Sequence, residues 1–120
     1  MKLITKEVEK RLEKYPLYSQ DGKKKDAICV VKFFLTGGSH TWYILEADLP
    51  NQIAYGITIN GYGEGEYGYV SLAELQTIKN SFGLGVERDL YFEPTKLQDI
   101  KDDGYLKNFL KGFYDEEDEV

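Results

Sequence analysis

The sequence is poor in the residue types on which many enzymes and metal sites rely. It has one cysteine, one histidine and three prolines in 120 residues. A lone cysteine cannot form an internal disulfide, and Cys29 lies in the apolar run AICVVKFF, where we expect a buried and inert thiol. No apolar run approaches the roughly 20 residues of a membrane span, and the charged start, MKLITKEVEKRLEK, is unlike a secretory signal. These absences predict a cytoplasmic protein.

Basic residues are scarce in the second half of the chain. Residues 1–60 carry nine Lys/Arg and seven Asp/Glu, whereas residues 61–120 carry six and fourteen, and the net charge is −6. Because nucleic-acid affinity depends largely on Lys/Arg contacts with phosphates, the acidic half disfavours nucleic acid as a partner. The same charge would attract a basic surface of a partner protein. Simple solubility is the competing explanation.

The apolar content is sufficient for one packed domain. Hydrophobic residues make up 42% of the sequence and aromatic residues 14%, which predicts a folded chain of single-domain length. We expect one α+β domain over residues 1–114 and an acidic disordered tail, DEEDEV, over residues 115–120.

The order of the predicted elements favours an antiparallel sheet flanked by helices. A helical period covers residues 5–15, with Thr5 as its N-cap, and a capping box at Ser71 and Glu74 begins a helix over 71–80. Strand patterns cover residues 27–35, 40–48, 53–59, 66–71 and 86–94, and two short helical patterns cover 95–102 and 105–114. We therefore expect an α+β fold: an antiparallel sheet of four to five strands with an N-terminal helix, a helix after strand four and C-terminal helices packed on one face.

The stretch GEGEYG at residues 63–68 matches the G-x-G-x-x-G pattern of dinucleotide-binding turns. Such a turn needs a helix directly after its glycines, whereas a strand pattern follows here. Glu64 and Glu66 lie within the loop and would repel a diphosphate, and Asn60-Gly61 is a strong hairpin signal. We predict a corner between two strands and no cofactor.

The exposed residues of this corner, together with a charged cluster near the fifth strand, are the candidates for a binding surface. Tyrosines are enriched in protein interfaces, and the carboxylates complement a partner that presents a basic, nucleic-acid-binding surface. The candidate interaction residues are Tyr62, Glu64, Glu66, Tyr67, Glu87, Arg88 and Asp89.

Two alternative functions stay open at this point. Glu87, Arg88 and Asp89, with His40 beside them, are candidates for a small metal- or ligand-binding enzyme, because carboxylates bind hard cations and exchange protons. A structural Arg–carboxylate network is the competing interpretation of the same residues. Direct nucleic-acid binding would use the lysines of residues 2–25 and the sheet aromatics. No catalytic residue and no metal ligand is assigned.

Several blocks resemble a known family in their order and spacing. These are VVKFF…TWY, YGYVSLAEL and GLGVERDLYFEP, and the opening MKLITKEVEKRL is similar as well. The family is an uncharacterised bacterial domain of unknown function, found mainly on plasmids, conjugative elements and phages, and the resemblance covers residues 1 to about 100. It implies a small cytoplasmic accessory protein of mobile DNA, with the segment after residue 103 as an addition. It implies no catalytic residues.

Overall fold

The structure, a computed structural model, describes residues 2–115, and its first helix is α1, Lys6–Glu13. The Thr5 hydroxyl accepts a hydrogen bond from the Val8 amide at 3.3 Å, which confirms the predicted N-cap. Val8 and Leu12 lie on the same side of the helix and are buried. The amphipathic period therefore packs α1 onto the sheet.

A five-stranded antiparallel sheet forms the centre of the molecule and confirms the α+β class. Its strands are β2 (Val31–Leu35), β3 (Thr41–Asp48), β4 (Ile53–Ile59), β5 (Gly65–Ser71) and β6 (Val86–Arg88). They lie in the order β5-β4-β3-β2-β6, so that β5 and β6 are the two edge strands. A short pair joins β1 (Ile28–Cys29) to β7 (Thr95–Lys96).

The remaining helical segments are short. They are α2 (Leu72–Leu75), α3 (Gly104–Leu110), a π-helical turn (Lys111–Asp115) and two 3₁₀ turns (Lys24–Asp26 and Leu97–Asp99). No helix among residues 2–115 is long and apolar enough to cross a membrane. The predicted acidic tail covers residues 115–120. Apart from the backbone of residue 115, it lies outside the described residues.

Helices cover both faces of the sheet, whereas the sequence predicted that they pack on one. Trp42 and Ile44 of β3 belong to the same apolar cluster as α1 and α2, while Tyr43 and Leu45 pack with Leu106 of α3. Side chains alternate between the faces of a strand, so the two clusters lie on opposite sides. We call these sides the α1 face and the α3 face.

A β-bulge interrupts the pairing of β3 with β4. Ile44 pairs with Gly56, but the next pair is Glu46 with Tyr55, which leaves Leu45 as the extra residue. Leu45 belongs to the apolar cluster of the α3 face, and Glu46 lines a recess beside it. The bulge therefore places two consecutive side chains on the α3 face.

Four predicted elements are wrong in extent or type. The strand predicted over residues 27–35 is divided at Val30 into β1 and β2, which belong to different sheets. The helix predicted over residues 71–80 ends at Leu75, and the chain then turns into a bridge between Lys79 and Gly85. The strand predicted over 86–94 ends at Arg88, because the Asp89 carboxylate accepts from the Tyr91 amide and closes a turn. Residues 95–102 form β7 and a 3₁₀ turn, since pairing with β1 outweighs the weak helical tendency of a short segment.

Candidate functional site

A recess on the α3 face, beside the edge strand β5, collects tyrosines and carboxylates. One part, which we call the outer part because it lies against the exposed rings of Tyr18 and Tyr69, encloses about 160 Å³ and is lined by Tyr18, Asp21, Glu46, Tyr55 and Tyr69. The adjoining part, which we call the inner part, encloses about 230 Å³, shares three of these residues, and is also lined by Gln20, Gly22, Lys24, Ala27, Leu45, Tyr67, Phe113 and Tyr114. We call the two parts together the tyrosine cleft.

Glu46 holds the floor of the tyrosine cleft in place. Its side chain is only 3% exposed, and its two oxygens accept hydrogen bonds from the amides of Tyr18 and Gln20, both at 2.8 Å. A buried carboxylate requires such donors, because burial without them is costly. Each oxygen still has capacity for a further donor. Glu46 is therefore a fixed negative charge at the floor of the cleft.

Gln20 completes the attachment of this loop to the sheet. Its side-chain amide donates to the carbonyl oxygens of Ile28 and Leu45, both at 2.8 Å, and its side-chain oxygen accepts from the Ile28 amide at 2.6 Å. Every polar atom of this buried side chain is thus hydrogen-bonded to the backbone of a strand. The loop that carries Tyr18 and Asp21 is therefore fixed against β1 and β3.

The rings of the cleft contact one another. Tyr55 lies edge-on to Tyr69, with 5.2 Å between ring centroids, and parallel to Tyr67 at 6.1 Å. The hydroxyls of Tyr18 and Tyr69 are 3.1 Å apart and share a hydrogen bond. The π-helical turn also lines the cleft and packs against β5, and its Tyr114 shares a hydrogen bond with Tyr67. π-helical turns occur frequently at functional sites.

The hydroxyls of Tyr55, Tyr67 and Tyr69 stay protonated at neutral pH. Burial raises the pKa of Tyr55, and the Glu46 charge adds to this effect. Burial and the hydrogen bond with Tyr114 raise the pKa of Tyr67, and the hydrogen bond with Tyr18 raises the pKa of Tyr69. Since an ordinary tyrosine already has a pKa of about 10, these groups act as neutral hydrogen-bonding groups.

The glycine motif forms the predicted corner between β4 and β5. Its loop is closed by Asn60, whose side-chain oxygen accepts from the amides of Tyr62 and Glu64 at 2.9 and 3.0 Å. Gly63 has a φ of +79°. A Cβ on Gly65 would lie 2.7 Å from the Phe109 ring of α3. The glycines thus give the corner its turn and let α3 pack closely.

The candidate residues near this corner do not all face the same way. Tyr62 and Glu64 are exposed on the loop. Glu66 is exposed on the α1 face of β5, since it alternates with Tyr67. Tyr67 alone among the predicted interaction residues lines the tyrosine cleft.

Glu87, Arg88 and Asp89 lie at the opposite edge of the sheet and do not form one cluster. The Arg88 guanidinium donates to the carbonyl oxygens of Lys2 and Leu3 at 3.3 and 3.1 Å. Asp89 pairs instead with Lys32, at 3.8 Å. Strand alternation sends Arg88 to the face opposite Glu87, so Arg88 ties down the N-terminal segment.

His40 and Cys29 lie apart from the tyrosine cleft. The His40 ring stacks on Trp42, with 5.8 Å between ring centroids. Cys29 is fully buried, as predicted, and burial raises the pKa of its thiol. Within residues 2–115, no three His, Cys, Asp or Glu side chains are grouped so as to hold a metal ion. Trp42 and Tyr43 are buried as well, so neither offers a stacking platform for bases.

Sequence reasoning missed most of the cleft. Glu46 had one visible signal, a carboxylate between the apolar residues Leu45 and Ala47 inside the strand pattern TWYILEAD, which is typical of a buried charge with specific partners. Tyr18 and Asp21 had none, because a polar loop gives no indication of which strand it packs against.

The fold and the cleft together define a small α+β protein with a tyrosine-lined, carboxylate-bearing recess at one sheet edge. Residues 3–100 match the model of a family described as Protein of unknown function (DUF2958), and the chain belongs to this family. The match confirms the resemblance to a domain of unknown function. No curated protein and no solved structure matches the chain. Helix α3 and the π-helical turn lie beyond the matched residues.

Proposed function

We propose that the chain is a non-enzymatic binding protein that accepts a basic side chain of a partner protein in its tyrosine cleft. The observation that carries the proposal is the convergence of Tyr18, Tyr55 and Tyr69 with the carboxylates of Asp21 and Glu46 around the outer recess. Aromatic faces and carboxylates both attract ammonium and guanidinium groups. A cationic side chain therefore satisfies both kinds of lining residue.

The size of the cleft favours one side chain over a whole small molecule. The outer and inner parts enclose about 160 and 230 Å³, whereas pockets that enclose drug-sized ligands measure roughly 300–1,000 Å³. Lys24 lines only the inner part, so among residues 2–114 the charged side chains that line the outer part are all carboxylates. The outer part is therefore the place where the cation binds.

Arginine suits the outer recess better than lysine. A guanidinium group is planar, is more weakly hydrated than an ammonium group, and stacks on aromatic rings while it donates to carboxylates. Glu46 offers a fixed, oriented acceptor for such a donor. The expected ligand is an arginine of a basic protein segment.

The wider role follows from the family resemblance. We infer that the chain is an accessory protein of a mobile genetic element, and that its partner is a host or defence protein with a basic, nucleic-acid-binding surface. Binding would inhibit that partner by covering residues that otherwise contact phosphates. The net charge of −6 supports such an encounter, because opposite charges steer association.

Calorimetry with a defined peptide tests the proposed cleft. The probe is an acetylated and amidated heptapeptide of alternating threonine and arginine, and its control replaces each arginine by citrulline, which has nearly the same shape without the charge. We expect the arginine peptide to bind and the citrulline peptide to fail, with binding weakened by salt. Equal binding of both peptides would contradict a cation site.

Two matched substitutions locate the site on the protein. Asp21→Asn removes one negative charge from the cleft, and Glu64→Gln removes one from the remote hairpin corner, so the net charge changes equally. We expect Asp21→Asn to weaken peptide binding by about two- to fivefold, in line with an exposed ion pair, and Glu64→Gln to leave it unchanged. The reverse result would assign the contact to the hairpin corner.

A pull-down from host lysate tests the wider role with the same variant. A partner that the native chain retains at low salt, and that Asp21→Asn retains more weakly, supports the proposal. If the native chain and Asp21→Asn retain the same partners at all salt concentrations, the partner does not bind through the cleft.

A further inference from the structure

Backbone hydrogen bonds at the two ends of the β4–β5 pair show which residues of β5 are hydrogen-bonded to β4. The Leu72 amide donates to the Gln52 carbonyl oxygen at 2.9 Å, and the Asn60 amide donates to the Glu64 carbonyl oxygen at 2.8 Å. Opposed residues of an antiparallel pair alternate between hydrogen-bonded and non-bonded positions. The bonded pairs in between are therefore Ala54–Val70, Gly56–Gly68 and Thr58–Glu66.

It follows that Tyr67 and Tyr69 turn their amides and carbonyls away from β4. Strand β5 is the last strand of the sheet, and within residues 2–115 no hydrogen bond reaches the main chain of either tyrosine from beyond β4. This edge is regular over seven residues and has no bulge. An unpaired edge of this kind is a template for a further strand.

The same two residues line the tyrosine cleft with their side chains. The unpaired edge of β5 and the cation site are thus adjacent, and one extended chain can bind to both at once. Building on the proposed function, we propose that an extended basic segment of the partner protein adds antiparallel to β5 and directs an arginine side chain into the tyrosine cleft.

In an antiparallel arrangement, the partner residues that bond to the main chain of Tyr67 and Tyr69 are the same residues whose side chains face the cleft. A partner residue opposite Tyr67 or Tyr69 turns its own amide and carbonyl toward β5, and its side chain stands on the α3 face. The partner backbone then lies about 4.8 Å from β5, beside Tyr69, which is 59% exposed. Side chains at alternate positions of the partner face the cleft, and those between them face away.

Charge favours a basic partner over a second copy of the chain as the occupant of this edge. The cleft beside the edge contributes the carboxylates of Asp21 and Glu46, and Glu66 projects from β5 on the other face. A second copy would bring the same carboxylates toward each other, whereas a basic strand neutralises them.

N-methylation of the probe peptide tests the inference without altering the protein. In the heptapeptide of alternating threonine and arginine, one version carries N-methyl groups on the arginine amides and the other on the threonine amides. We expect methylation at arginine to weaken binding by about tenfold or more, since those amides would bond to Tyr67 and Tyr69. Methylation at threonine leaves affinity nearly unchanged.

Amide hydrogen exchange supplies an internal control for the register. In the free protein we expect the Gly68 amide, which is paired with Gly56, to exchange slowly, and the amides of Tyr67 and Tyr69 to exchange fast. The peptide should slow exchange at both tyrosines and leave Gly68 as it was.

The possible outcomes separate the inference from the proposed function. If the arginine peptide binds and depends on Asp21 but neither methylation matters, strand addition is wrong and the cation site stands. If methylation of the threonine amides abolishes binding, the peptide adds parallel to β5, which contradicts the antiparallel arrangement. Light scattering that shows a dimer with protected Tyr67 and Tyr69 amides would assign the edge to a second copy. If no peptide binds, both proposals fail.

Discussion

At the scale of single residues, Glu46 contributes both to the stability of the fold and to the negative charge of the cleft. Its carboxylate is buried, and it accepts hydrogen bonds from two backbone amides. Such charge-assisted hydrogen bonds are about twice as strong as neutral ones. The residue therefore attaches the 16–22 loop to β3, and its negative charge can attract a ligand.

Glu46→Gln is expected to destabilise the protein by about 1–3 kcal/mol, although it removes a buried charge. A glutamine side chain has one oxygen and one NH₂ group, and the NH₂ group would face one of the two amide donors of Tyr18 and Gln20. Urea denaturation measures the change. Glu66→Gln, the same substitution at an exposed site on β5, should stay within about 0.5 kcal/mol of the native chain. Equal stability of the two variants would contradict this role of Glu46.

At the scale of elements, the β3 bulge and a glycine in β4 depend on each other. Gly56 pairs with Ile44 at the point where the bulge begins, and the backbone carbonyl of Tyr43 occupies the place where a Cβ of residue 56 would lie. Backbone atoms cannot move aside as a flexible side chain can. Gly56 is thus required for the bulge, and the bulge brings Glu46 to the α3 face.

A pair of opposed glycines allows this dependence to be tested. Gly56→Ala should destabilise the protein by about 3 kcal/mol or more, because the β3 backbone must shift. Gly68, its partner across β4 and β5, has no atom within 4 Å of an added Cβ, so Gly68→Ala should change stability by less than about 1 kcal/mol. Thermal unfolding of both variants gives the comparison. A large loss at Gly68, or none at Gly56, would show that the backbone contact does not control this position.

At the scale of the whole molecule, the sheet separates two apolar layers, and the α3 layer contains buried ionisable groups. Burial raises the pKa of Cys29, of Tyr43 and of Tyr67, with the hydrogen bond to Asp103 adding to the effect at Tyr43. Each group therefore keeps its proton in the folded state at a pH where the unfolded chain has lost it. Folding stability must then depend on alkaline pH.

The sign of that dependence follows from the raised pKa values. Stability is fully present below about pH 8, and it falls as the pH rises past the unfolded values of about 8.5 for Cys29 and 10 for the tyrosines. Above about pH 10, the free energy of unfolding of Tyr43→Phe should fall less steeply than that of the native chain, by about 1.4 kcal/mol per pH unit. Urea denaturation from about pH 7 to 11 measures the slopes. Tyr62→Phe is the control, because Tyr62 is 90% exposed, and equal slopes in all three proteins would contradict the prediction.

Local patterns predicted the elements that depend on local interactions. The Thr5 and Ser71 caps, the strand β4 and the corner between β4 and β5 were all predicted correctly, since capping and turn chemistry involve residues a few positions apart. In that corner the positive φ lies at Gly63 and not at Asn60 or Gly61. The segments between residues 75 and 103 were predicted less well, whereas the helix predicted over 105–114 is present as α3 and the π-helical turn. Their structure is decided by partners far along the chain, as where the Leu97 amide bonds to the Ala27 carbonyl.

The sequence by itself determined the α+β class, the antiparallel order of the long strands, the buried cysteine and the structural nature of the glycine corner. Periodicity, caps and turn residues act over short distances, so they can be recognised without coordinates. Only the tertiary structure decided that the helices cover both faces and that a bulge turns Glu46 toward Tyr55. It alone placed Tyr18 and Asp21 beside Tyr69, because contacts between residues about 50 positions apart depend on how the whole sheet packs.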